Sequence, residues 1–179
     1  MPKKGNNMPL YRLILCAFLV ALSIVCGKFL AIPVGDVLRF SFENLPILFA
    51  GLVFGPIEGM LVGVCADLLG CVLRGYAINP VVTVGAVVIG LLAGLGGICL
   101  RRLPLTWQVV LTTAVAHLVG SVIIKTVGLA QYYAMPLWLL MGWRLLNYAL
   151  IAAVEAVLLR LLLSNRGIRR LLPQQEEKI

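Results

Sequence analysis

Apolar runs, five of membrane-spanning length and one short (45–54), follow one another along this chain with little between them. They fall at about 10–30, 45–54, 57–73, 80–100, 107–129 and 137–163. A helix needs roughly 20 predominantly apolar residues to cross a hydrocarbon core. Six such helices take up most of the 179 residues and leave no room for a soluble domain. The expectation is a single membrane domain over 1–179, an all-α six-transmembrane-helix bundle with a long, partly structured first extracellular loop. Composition agrees: 61% of residues are hydrophobic and 12% charged, where a soluble domain is nearer half and a quarter.

Charge sets the expected orientation. Six spans place both termini on one side, with Lys3, Lys4, Arg12, Arg101, Arg102, Arg160, Arg166, Arg169, Arg170 and Lys178. Lys28, Arg39, Arg74, Lys125 and Arg144 fall on the other. The positive-inside rule makes the richer side cytoplasmic, so the chain is expected in the plasma membrane with both termini inside. The net charge of +8 then reflects topology, and no nucleic-acid partner is expected. The N-terminus resembles a signal peptide, but its apolar run ends in Ser23-Ile24-Val25-Cys26 with no small-x-small site. It reads as a retained first helix.

Several chemistries lack their residues. No GxxxxGK[ST], HExxH or GxSxG occurs, and His117 is the single histidine. The five cysteines lie in apolar segments without a CxxC pair, which disfavours a metal site. No cofactor and no catalytic residues are expected, and an enzyme is disfavoured.

The informative stretch is 39–80. Gly55, Gly59 and Gly63 recur every four residues, which stacks them on one helix face where backbones can approach closely. Arg39, Glu43, Asp67, Arg74 and Asn79 interrupt an otherwise hydrocarbon sequence, and polar groups at membrane depth tend to mark function. Asp67 is either a contact to a loop amide or to Arg74, or a carboxylate accepting hydrogen bonds from a heterocycle. Arg39 is either a salt bridge to Glu43 or Asp36, or a clamp on a ligand carboxylate. Arg144 follows Trp143, so it either stacks on that ring or meets ligand. Tyr132 and Tyr133 belong to an aromatic loop (131–136) or to the interfacial belt. Lys28 and Lys125 can snorkel. Glu58 and Glu155 are expected to serve contacts nearer the cytoplasmic side, and His117 to be a satisfied core residue. Phe40 and Phe42 offer apolar groups to fold the first loop back over the bundle. Ala17 and Ala21 form a small-xxx-small pair, either internal packing or a docking surface.

The order Arg39-Phe-Ser-Phe-Glu-Asn-Leu-Pro46, Phe54-Gly-Pro-x-x-Gly59, Gly63-x-x-Ala-Asp-x-x-Gly70 and Gly75-Tyr-x-x-Asn-Pro80 resembles the S components of energy-coupling factor (ECF) transporters, most of all the folate-specific group. The resemblance covers nearly the whole chain. It implies a substrate-binding subunit that captures folate outside and works with a transmembrane coupling subunit and two ATPases. The Ala17-x-x-x-Ala21 pair matches the motif by which such proteins dock on the coupling subunit. Folate chemistry offers Asp67 or Asn79 for the pterin edge, Tyr76, Tyr132, Tyr133 or Trp143 for stacking, and Arg39 or Arg144 for the glutamate. The alternatives are an S component for pantothenate, a flavin or a queuosine precursor, and a membrane scaffold that binds no solute.

Overall fold

The computed structural model describes residues 10–34, 38–133 and 135–165. Helix α1 (Leu10–Phe29) rises to a short antiparallel hairpin of β1 (Ile32–Val34) and β2 (Leu38–Phe40). The hairpin register pairs Ile32 with Phe40 and Val34 with Leu38. Helices α2 (Leu45–Phe54), α3 (Pro56–Arg74) and α4 (Pro80–Cys99) come next. Helix α5 runs in three continuous segments, α-helical over Leu105–Ala116, π-helical over His117–Ile124 and α-helical over Lys125–Tyr133. Helix α6 is Leu137–Ser164. Five of the six are long and apolar enough to cross a membrane, and α2 has ten residues.

The shortness of α2 has a local cause. Ser23 lies six residues before the end of α1, about 9 Å below the hairpin rim at 1.5 Å per residue. Its Oγ donates to the Glu43 carbonyl at 2.6 Å. Ser41 and Asn44 are buried. The chain has therefore already descended into the bundle before α2 begins. Above it, Phe40 packs on Val122, Tyr148 and Ile151, which seats the hairpin on α5 and α6.

Small residues set how closely the helices approach. A Cβ on Gly59 would lie 2.5 Å from the Gly90 carbonyl oxygen, and one on Gly63 would lie 2.5 Å from the Ala86 oxygen. Gly51 meets Ala93 and Gly94 in the same way. Gly55 meets the seam only with its backbone, against Gly94. It is the turn between α2 and α3, at φ 115° and ψ 178°, a region that glycine enters without steric cost. Pro56 then opens α3, where a missing N–H costs nothing. Helix α3 ends on Gly75 at φ 69°. The Tyr76 N–H bonds to the Cys71 carbonyl and the Gly75 N–H to the Val72 carbonyl, closing the helix with a Schellman motif.

The outer surface is hydrocarbon, with Leu13, Ile14, Phe18, Leu61, Leu146 and Leu150 all exposed. Polar groups turn inward. Thr112, Thr113, His117, Ser121, Thr126, Arg144 and Glu155 are buried along α5 and α6. Helix α5 continues through Tyr133, so the aromatic segment expected as a loop over 131–136 is largely its last turn.

Candidate functional site

Beneath the hairpin, α1 to α5 enclose a polar cavity of about 30 Å³. Its wall includes Ser23, Glu43, Asn44, Asp67, Arg74 and Lys125. The polar side chains come from α1, the segment before α2, α3 and α5, and most are held by a neighbour. Thr83 Oγ1 donates to Asp67 Oδ2 at 2.7 Å. Arg74 Nη2 lies 3.3 Å from Glu43 Oε2. Gly27 leaves room for that ion pair, since a Cβ there would meet both side chains. Lys125 Nζ donates to Asn44 Oδ1 at 3.4 Å.

These contacts correct three expectations. Asp67 takes its hydrogen bond from Thr83, whereas Arg74 turns to Glu43. Lys125 does not snorkel. It is 4% exposed, and its stem lies against Gly85, where a Cβ would stand 2.5 Å from Lys125 Cγ. Arg144 does not stack on Trp143. Adjacent residues point about 100° apart on a helix, so Trp143 faces outward at 57% exposure while Arg144 is buried. The guanidinium sits over the Tyr148 ring, 5.0 Å from its centroid. Residues four apart share a helix face. Arg144 Nε also donates to Thr126 Oγ1 at 2.9 Å, and Nη2 to the Ser121 carbonyl at 3.0 Å. Arg144 thereby fastens α6 to the π-helical turn of α5.

The remaining candidates spread around the rim. Asn79 caps α4, accepting from the Val81 and Val82 N–H groups, and its amide donates to the Gly128 carbonyl at 3.0 Å. Both ends of that amide are engaged, and it ties the α4 start to α5. Tyr76 is exposed in the loop after α3. Tyr132 and Tyr133 lie in the last turn of α5 and Arg39 in β2; their side chains lie outside the described residues, as do Gly35, Asp36 and Val37. Ala17 and Ala21 are both exposed on α1, on the face away from Cys16, Leu19, Ser23 and Cys26.

Nearer the other end of the bundle, His117 is satisfied, as its position suggested. Its Nε2 lies 2.6 Å from Glu155 Oε2 and its Nδ1 3.1 Å from Ser121 Oγ. Glu155 serves a contact, as expected, and is fully buried in the core. Glu58 lies 4.0 Å from Arg12 at the far rim. Glu43, Asn44, Ser23, Thr83 and Lys125 are site residues that the sequence reading did not select. Glu43 and Asn44 were visible as polar interruptions in the 39–46 motif; Lys125 was visible only as one cation in an apolar run.

A family model described as "ECF-type riboflavin transporter, S component" matches residues 7–166. The folate transporter FolT of Clostridium novyi (strain NT) is 25% identical over 164 residues, covering 88% of this chain and 87% of that protein. A Mycoplasma pneumoniae protein described as an uncharacterized MG313 homolog is 30% identical over 132 residues. That match covers 73% of this chain, which spans 45% of the Mycoplasma protein. Among solved structures, FolT bound with folic acid aligns with a TM-score of 0.68 at 22% identity, covering 88% of this chain and 91% of that one. The S component for biotin from an ECF-type ABC transporter aligns at 0.65 and 20% identity, covering 96% and 100%. The inward-facing polar cavity under a hairpin, the six-helix bundle around it and a family model spanning nearly the whole chain converge: this protein belongs to the S components of ECF-type vitamin transporters.

Proposed function

We propose that this S component captures folate at the outer face of the membrane and delivers it inward together with an ATP-driven coupling module. The observation that carries the reading is the polar cavity under the hairpin, where a carboxylate, Asp67, and a buried cation, Lys125, line one space. A flat heterocycle with N–H donors on one edge and acceptors on another matches such a wall. The similarity to FolT over 88% of the chain supports folate as the vitamin. At about 30 Å³ the cavity holds about one water, whereas small-molecule sites measure roughly 300–1,000 Å³. Capture therefore requires the site to widen. In this reading Arg39, on β2, is assigned to the glutamate, and Tyr76, Tyr132 and Tyr133 to stacking on the rings. Trp143 faces lipid and Arg144 holds α5 to α6, so both act on the site through the bundle.

Helix α1 presents Ala17 and Ala21 outward, one turn apart, as the docking face for the coupling subunit. Small side chains let a partner helix approach to backbone contact.

The second reading is riboflavin, favoured by the family model's description. Equilibrium binding to the detergent-purified protein separates the two. Folate is expected to bind saturably and to resist competition by riboflavin, biotin and pantothenate. Saturable riboflavin binding without folate binding reassigns the vitamin. No saturable binding of any vitamin favours a scaffold.

A further inference from the structure

Lys125 is the cation of the cavity that the ion-pair network leaves out. The residue is 4% exposed, and among the described residues no carboxylate lies within salt-bridge distance of its ammonium. Its one hydrogen bond among the described residues, to Asn44 Oδ1, is long at 3.4 Å. Asn44 is 1% exposed, and its own donor nitrogen, Nδ2, is buried without a partner. Both side chains line the cavity. An ammonium carries three donors and a carboxamide nitrogen two. Most of these donors are thus unspent in one small, buried space. Burying an unpaired ammonium is costly, and a lysine that only filled volume here would be better replaced by methionine. The bundle instead makes room for it: Gly85 lacks the Cβ that would collide with Lys125 Cγ.

The acceptors are distributed differently. Thr83 occupies Asp67 Oδ2 and Arg74 pairs with Glu43. The cavity therefore presents donors from the α2 and α5 walls and a carboxylate from the α3 wall. A pterin and a flavin share one feature that fits. Each has a ring carbonyl beside a ring nitrogen, two acceptors on one edge, with N–H groups on another.

We propose that Lys125 and Asn44 form a donor pair that reads the carbonyl and ring-nitrogen edge of the vitamin's fused heterocycle. The proposal deepens the functional reading above and rests on it for the class of solute. It assigns ring recognition to α5 and the start of α2, leaving the anionic tail to the hairpin.

The test combines a protein change with a single-atom ligand change. Lys125→Met removes the ammonium with little change in volume. 5-Deazafolate replaces the ring nitrogen with C–H. Wild type is expected to bind folate about tenfold or more tightly than either Lys125→Met binds folate or wild type binds 5-deazafolate. Lys125→Met is expected to distinguish folate from 5-deazafolate by less than about twofold, because the lost partner is the same. Affinity for a bare methylpterin should fall with that for folate, while p-aminobenzoyl-glutamate should be unaffected. Gly85→Ala, which puts a methyl in the path of the lysine stem, is the second variant and should weaken folate and methylpterin alike.

If Lys125→Met weakens the tail fragment but not methylpterin, the lysine holds a carboxylate and the proposal is overturned. Unchanged folate affinity in both variants overturns it too, leaving Lys125 a structural residue. If wild type binds riboflavin and not folate, the folate reading fails while this one is decided by the same cycle with riboflavin and 5-deazariboflavin. Wild type that binds neither ring overturns both.

Discussion

The buried pair between α5 and α6 shows what a single polar residue costs and contributes in this bundle. His117 and Glu155 are 2% and 0% exposed and lie 2.6 Å apart. Ser121 completes the imidazole's bonding, yet Glu155 Oε1 has no partner among the described residues. Removing one member leaves the other buried with its bond unmade, a loss of about 3–5 kcal/mol. His117→Leu is therefore expected to lower detergent-phase unfolding stability by that order. The double variant His117→Leu/Glu155→Leu should recover most of the loss, since two apolar groups leave no orphaned polar atom. Thermal and denaturant unfolding of wild type, His117→Leu, Glu155→Leu and the double variant measures this; a double variant as unstable as the sum of the two singles would mean the residues act independently. The sequence showed that His117 needed a partner, but not that Glu155, 38 positions away, supplies it. That pairing exists only because α5 and α6 pack together.

At the scale of elements, α1 and α5 contrast in how much of their orientation the sequence carries. Helix α1 is regular, so residues four apart share a face, and Ala17 and Ala21 fall together on the exposed side. Spacing could not say whether that side met lipid, the bundle or a partner; the burial of Cys16, Leu19, Ser23 and Cys26 on the other face decides against the bundle. Ala17→Trp or Ala21→Trp is expected to abolish uptake by whole cells while detergent-phase vitamin binding stays within about twofold, because surface substitutions away from buried features rarely perturb a fold. Loss of both activities would place these alanines in internal packing, and undiminished uptake would remove the docking role. Helix α5 is irregular. Through His117–Ile124 its hydrogen bonds skip one extra residue, and the Lys125 N–H reaches back to the Gly120 carbonyl. Each extra residue turns the remainder of the helix by roughly 100° relative to a regular α-helix. A 3.6-residue period carried through this segment therefore misplaces the residues beyond it, Lys125 among them.

For the whole molecule, orientation is the decisive quantity, since it puts the hairpin and cavity outside or inside the cell. The positive-inside distribution leads us to expect both termini in the cytoplasm. In a background without the five native cysteines, an impermeant thiol reagent on intact cells is expected to label a cysteine at Ala77, in the loop after α3, and not one at Leu103, between α4 and α5. The reverse pattern would invert the protein and turn the cavity towards the cytoplasm.

The sequence by itself determined the class, the helix count and a close helix approach at the glycine face of α3. Each of these rests on local facts: hydrocarbon runs long enough to span a bilayer, and glycines spaced by whole turns, as at Gly59 and Gly63. It also marked 39–46 and 63–70 as the segments that build the site. Tertiary structure decided how their polar groups pair. Glu43 took Arg74, Asp67 took Thr83, and Asn44 was left with Lys125, because the descent of the first loop beside Ser23 and the π-helical segment of α5 brought distant side chains into one cavity. In a hydrocarbon surround every buried polar group must find a partner, but which partner it finds depends on which helices touch, and no local pattern records that.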